Sequence, residues 1–294
     1  MKPTCNPLCQ GHGEVKHDEV EPAMTTATLP DLETGWGSAS PVDDTVLRHG
    51  VHALTATWEA AGGVGAGRVH RDDRFSAVDL GRPAGLINST TVLRPHRDEE
   101  FIESVARIEQ FYDAQGTGAT LLWSAWPTPD LSGRGWRLQG YPPLLYRPAG
   151  LAVERRQPEG FAVAEVTTER DLAEWCSVAV EAFPLTEVDA PSTLFDPAVL
   201  GDERFRFVTG RLGSRAVAVG CQVVVGGANV LLLSTVRPEA RGRGYYAALV
   251  ADRLVREPDL PTVTIVSDDS RPVLVGRFGF LAVTRFTLWE RSRR

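Results

Sequence analysis

The stretch from Ala228 to Leu254 constrains this chain more than any other. Ala228 to Thr235 is apolar and partly β-branched, the composition of a buried strand. Ala247, Val250, Ala251 and Leu254 then recur at i, i+3, i+4 and i+7, the spacing of a helix that lays one face on a sheet. Between them runs Val236-Arg237-Pro238-Glu239-Ala240-Arg241-Gly242-Arg243-Gly244-Tyr245-Tyr246. A glycine-bearing basic turn between strand and helix aims unpaired first-turn amides, and the positive end of the helix dipole, at an anion. Gly242 and Gly244 free the backbone for positive φ and close approach, and Arg241 and Arg243 add paired donors for phosphate. The turn reads as a pyrophosphate cradle; a plain surface turn with two solvated arginines is the alternative. No Lys-Ser/Thr pair follows the glycines, so it is not a P-loop, and the third glycine of a dinucleotide fingerprint is missing.

At 294 residues the chain has room for one large or two modest domains. Its formal charge of −7 argues against nonspecific nucleic-acid binding and favours a cationic or amine substrate. Cys5 and Cys9 lie near the N-terminus, while Cys176 and Cys221 sit in apolar surroundings; this is no disulfide framework, and a reducing cytoplasm is expected. Ala216 to Val236 carries no charge and is long enough to span a bilayer. Gly226-Gly227 splits it, however, Gln222 and Asn229 interrupt it, and its valines favour strands. Two strands joined by a glycine turn are expected there, and no membrane partner.

Residues 1–40 are polar, without sustained periodicity, and read as a disordered tail. Within them Cys5, Cys9, His12 and His17 lack the long loop that separates the ligand pairs of a zinc site, so no metal is expected. Two folded regions follow, 41–155 and 156–294. The first holds a helix from Val46, strands at Phe75 to Leu80 and Leu86 to Leu93, and a helix over Asp98 to Ala114. It continues with a strand at Ala119 to Trp123 and a last strand from Arg137 towards Tyr146. The second opens with a strand near Phe161 and a helix capped by Thr168.

The regions echo each other. Ser89-Thr90-Thr91-Val92-Leu93-Arg94-Pro95 parallels Ser234-Thr235-Val236-Arg237-Pro238, and a Gly-aromatic pair follows each proline at 40 and 41 residues. A duplicated fold is expected. After Pro95 the cradle is replaced by His96-Arg97-Asp98-Glu99-Glu100, acidic where phosphate would sit, so the first copy should bind no diphosphate.

Arg241, Gly242 and Gly244 resemble the acetyl-CoA signature R/Q-x-x-G-x-G/A of the GNAT superfamily of N-acetyltransferases, with Tyr246 where glycine or alanine is usual. The order of elements from Phe161 onwards fits that family too. The resemblance implies an α/β (α+β) fold, a mixed and mostly antiparallel sheet flanked by helices, over nearly the whole C-terminal half; the echo between the halves adds the expectation of a tandem duplication with a degenerate first copy. It implies acetyl-CoA as acyl donor and an N-acyltransferase in which a primary amine attacks the thioester directly. By position, Ser234, Thr235 and Val236 would present backbone groups to pantetheine, and Arg241, Gly242, Arg243, Gly244, Tyr245 and Tyr246 would hold the pyrophosphate. The family's tyrosine acid falls at Val275, so that role is vacant on its helix, and the family's frequent asparagine falls near Asp268. Candidates for proton transfer are Tyr245, Tyr246, Asp268 and Asp269, with Glu187 and Asp189 on a presumed substrate loop; no histidine follows His96. The acceptor stays open among small amines, aminoglycosides, amino acids and protein N-termini, with a small-molecule amine foremost, and a homodimer is compatible with the chain. A noncatalytic acyl-CoA-binding or interaction protein that kept the cradle is the alternative.

Overall fold

The structure, a computed structural model, describes residues 41–114, 116, 118–183 and 194–292. The expected tail 1–40 and the residues Glu187 and Asp189 lie outside the described residues.

The first half contains α1 (Val46–Gly62), β1 (Arg68–Arg71), β2 (Phe75–Asp79), β3 (Ser89–Val92), α2 (Asp98–Asp113), β4 (Thr120–Ser124), β5 (Arg137–Gly140) and β6 (Pro143–Arg147). The second contains β7 (Phe161–Glu165), α3 (Glu169–Ala182), β8 (Phe205–Leu212), β9 (Arg215–Val225), β10 (Ala228–Val236) and α4 (Tyr245–Leu254). It closes with β11 (Thr262–Ile265), α5 (Arg271–Phe278), β12 (Leu281–Arg285) and β13 (Thr287–Arg291). Local chemistry sets several of these boundaries. The Thr168 hydroxyl accepts from the Asp171 amide at 3.2 Å and starts α3, and Thr45 caps α1 through the Arg48 amide. The uncharged run folds as the β9–β10 hairpin, turning through Gly226 and Gly227 at φ 58 and 70°. No helix among the described residues is long and apolar enough to cross a membrane.

The strands form two sheets, ordered β1-β2-β3-β4-β13-β5 and β12-β6-β11-β10-β9-β8-β7. The first four strands of one match four consecutive strands of the other: β1 to β4 and β8 to β11 are antiparallel except for one parallel pair each, β3·β4 and β10·β11. Beside each parallel pair lies a strand from the other half. β13 inserts between β4 and β5, and β6 inserts between β11 and β12. A cut near residue 155 therefore does not separate the sheets. The expected single strand from Arg137 to Tyr146 is two strands in two sheets, broken at Tyr141-Pro142, where proline removes a ladder donor. The two crossings lie side by side: the Phe286 amide donates to the Pro142 carbonyl at 3.0 Å, and Phe286 is buried edge-on to Trp123.

Helix α1 is sandwiched between the sheets. Val51, Ala53 and Leu54 pack with Ala228, Val230 and Val263 of the second sheet and with Leu121 and Trp123 of the first. Trp58, Ala60 and Ala61 join a second cluster with Trp175 and Phe207. His49 Nε2 also bonds the Gly226 carbonyl at 2.9 Å, which ties α1 to the β9–β10 turn.

Strand exchange makes each half incomplete, because a sheet that loses an internal strand exposes two rows of unpaired amides and carbonyls. Residues 41–155 and 156–294, produced separately, are expected to show no cooperative thermal transition by circular dichroism, and to recover one when combined. A cooperative transition in either half alone would contradict the exchange.

Candidate functional site

The site begins with a fault in β10. This strand follows β9 along its length, but its register shifts between Leu232 and Thr235. Leu233 there takes φ 49°, positive at no other non-glycine residue described. Its pairing with β11 ends at Leu231↔Thr264. Past that point the strands diverge, and two adjoining cavities occupy the opening. One, of about 370 Å³, runs from Ser234–Val236 to the turn before α4 and is closed by Ala182, Phe183, Ser267 and Ser270. The other, of about 280 Å³, extends from the same mouth towards Trp123 and Leu288.

The turn has the form that the glycines imply. Gly242 and Gly244 adopt φ 75 and 82°, and Gly244 is the N-cap of α4. The amides of Gly242 to Ala247 donate to no backbone carbonyl among the described residues, so they are left for a ligand at the positive end of α4. The two arginines have different positions. Arg241 is stitched into the fold, with Nε on the Val236 carbonyl and Nη2 on the Ala182 carbonyl, both at 3.1 Å. Arg243 is exposed, with no hydrogen-bond or ion-pair partner among the described residues.

The tyrosines also diverge. Tyr245 is buried and stacks on Phe161 at 4.6 Å and 10°, anchoring α4 to β7. Tyr246 lines both cavities, beside Ser270. Burial holds its phenol above the ordinary tyrosine range, so it stays protonated as a donor. Asp269 lines the larger cavity, whereas Asp268 is exposed and accepts from Arg285 at 2.9 Å. Val275, where the resemblance implies a vacant acid position, points outward on α5 with 41 % exposure. In the first half, Glu100 accepts from the Arg97 amide at 3.3 Å, so the start of α2 is satisfied by its own acid.

Sequence reasoning missed Arg253. A basic residue in a last helical turn reads as a solvated partner of the helix dipole, yet Arg253 is completely buried. Its Nε bonds the Leu249 carbonyl at 3.1 Å, Nη1 the Cys221 carbonyl at 2.9 Å, and Nη2 the Ser234 hydroxyl oxygen at 2.9 Å. No carboxylate among the described residues forms an ion pair with it. Burial pulls its pKa down to about 10, which leaves it charged at pH 7. Because Ser234 Oγ accepts from the guanidinium, its own proton is free to be offered at the mouth of the cavities. The signal lay on the neighbouring strand: a Cβ on Gly220 would stand 2.7 Å from the guanidinium carbon.

Gly220→Ala is therefore expected to destabilise the fold by about 1–3 kcal/mol in urea unfolding, the usual cost of overpacking. The effect should shrink in an Arg253→Met background, where the flexible thioether leaves space. Full additivity of the two changes would contradict the contact.

No protein-family model and no curated protein matches the sequence. Solved structures do match the fold. The chain is similar to a GCN5-related N-acetyltransferase from Kribbella flavida, with TM-score 0.60 and 16% identity over 83% of this chain and 95% of that one. It is similar to a GCN5-related N-acetyltransferase from Sphaerobacter thermophilus, with TM-score 0.52 and 15% identity over 82% and 91%. A conserved protein of unknown function from Staphylococcus epidermidis gives TM-score 0.55 at 10% identity over 80% and 97%. Matches of this length run across both sheets, and at such identities the likeness is one of fold. The chain carries the fold of the GCN5-related N-acetyltransferases.

Proposed function

We propose that this chain is an acetyl-CoA- or acyl-CoA-dependent N-acyltransferase that acts on a primary amine. One observation carries the reading: a cradle of amides unpartnered among the described residues opens into the gap between diverging β10 and β11, and a second cavity meets it at the same mouth. The cradle suits a diphosphate on three counts. Its glycines hold positive φ, and among the described residues its amides have no backbone acceptor and Arg243 has no partner. When bound, the thioester supplies an activated acyl group. Gly242 to Tyr246 would grip its pyrophosphate, and the edge of β10 from Ser234 to Val236, no longer paired with β11, would take its pantetheine arm.

The remaining chemistry falls to groups at the mouth. Ser234, oriented by Arg253, offers a hydrogen-bond donor, and Tyr246 holds a proton there and is the candidate general acid. An attacking amine must lose a proton, and Asp269 is the carboxylate that lines the larger cavity. The vacancy at Val275 favours a second reading, a noncatalytic acyl-CoA-binding protein. Turnover of acetyl-CoA with any primary amine separates the two.

Saturating acetyl-CoA is expected to raise the melting temperature of the wild type, by about 2.7 kcal/mol of stability at a hundredfold excess over Kd. It should not stabilise Gly244→Asp, which sets bulk and negative charge against the pyrophosphate. Equal stabilisation of both proteins would remove the cradle from the proposal.

Tyr246→Phe is expected to lower kcat at least tenfold with KM for acetyl-CoA unchanged, and Tyr245→Phe to leave kcat within about threefold, since positioned proton transfer contributes roughly 10²–10⁴-fold. Because burial raises the Tyr246 pKa from its ordinary value, loss of the acid form should not limit kcat at neutral and mildly alkaline pH. Steady-state kinetics across pH checks this, and an unchanged kcat in Tyr246→Phe would take the acid role from it.

A further inference from the structure

The smaller cavity has two chemically distinct ends. Its mouth, shared with the larger cavity, carries the polar groups of Ser234, Tyr246 and Ser270. Its far end is apolar and comes from both halves: Trp123 of β4 and Leu288 of β13 face Leu231, Leu233 and Ile265 across it. The one hydroxyl at that end, on Thr264, is spent on the Leu231 carbonyl at 2.8 Å. No Asp, Glu, Lys, Arg or His among the described residues lines this cavity.

We infer that the acyl acceptor is a primary amine carrying one uncharged aromatic or branched-alkyl group, with its nitrogen at the mouth and its apolar group against Trp123 and Leu288. This rests on the acyl-transfer reading above and names the substrate class of that site. A second ammonium at the far end would be stripped of water with no carboxylate among the described lining residues to receive it, which disfavours polyamines and aminoglycosides. An apolar group gains instead, at about 25 cal/mol for each Å² removed from water. The space is adequate: an apolar cavity of roughly 150 Å³ takes a benzene ring, and this one has about 280 Å³. The net charge of −7 draws cations to the protein as a whole, so the discrimination against a second charge is local to the cavity.

Calorimetric titration of the full chain, saturated with CoA, tests this with 2-phenylethylamine and 1,4-diaminobutane as probes at pH 9. The wild type should bind 2-phenylethylamine at least tenfold more tightly. Leu288→Asp, which places a carboxylate at the apolar end, should reduce that ratio at least tenfold, while the uncharged Leu288→Asn should not improve diamine binding. Equal or tighter binding of the diamine by the wild type, or binding of neither probe, overturns the inference. So does octanoyl-CoA that binds tenfold more tightly than acetyl-CoA and excludes 2-phenylethylamine, since the cavity would then hold the donor's acyl chain. Stabilisation of the wild type by acetyl-CoA is measured alongside. Its absence sinks the cofactor reading, whereas its presence with a failed probe ratio sinks only the choice of acceptor. The wild-type ratio stands as a test if the Leu288 variants do not fold.

Discussion

Each sheet is completed by a strand from the other half of the chain, and the site depends on that exchange. An internal strand must satisfy hydrogen-bonding groups on both edges, so β6 and β13 lock the halves together by the same ladders that build the sheets. The crossings also carry residues. Because β13 returns beside β4, Leu288 and Trp123 are cross-strand partners, and both reach the smaller cavity. The first half thereby supplies part of the lining of a cavity that opens beside the cradle of the second.

The opening itself has a separate cause. Parallel pairing of β10 with β11 would continue past Leu231 if the register held, and no gap would form. The bulge at Leu233 breaks it, and the strained φ at that residue is held by packing: Leu233 is buried in the cluster around Trp175 and Phe207. Directly after it, Ser234 is fixed by Arg253 from below. A fully buried cation with only carbonyls and one hydroxyl for partners is costly. From its position under the mouth of two cavities the guanidinium orients Ser234 and places positive charge beside the opening.

The halves have diverged where the helix after the parallel pair begins. α4 starts with glycines in the left-handed region and free amides, whereas α2 starts with Asp98, Glu99 and Glu100, one of which turns back to the Arg97 amide. The same dipole is left open at the start of α4 and is met by an internal acid at the start of α2.

Much of this was legible in the sequence because it is local. The cradle, the amphipathic face of α4, the Thr168 cap and the glycine hairpin follow from residue types at short spacing, which set helix starts and turns without help from distant segments. The echo between the halves was legible too, as a shared order of elements. Three features were not, and each is a matter of long-range placement. That β6 and β13 change sheets cannot be read from their sequences, since backbone ladder groups of a five-residue strand pair equally well with either edge. The burial of Arg253 depends on Gly220 of β9 clearing space for it, a relation between residues 33 positions apart. The apolar end of the smaller cavity is assembled from strands of both sheets, so its chemistry exists only once the tertiary fold brings Trp123, Leu288 and Leu231 together. The sequence by itself determined where an anion could be held; the exchange of strands decided what faces it, because side chains far apart in the chain share a cavity only through the sheets that carry them.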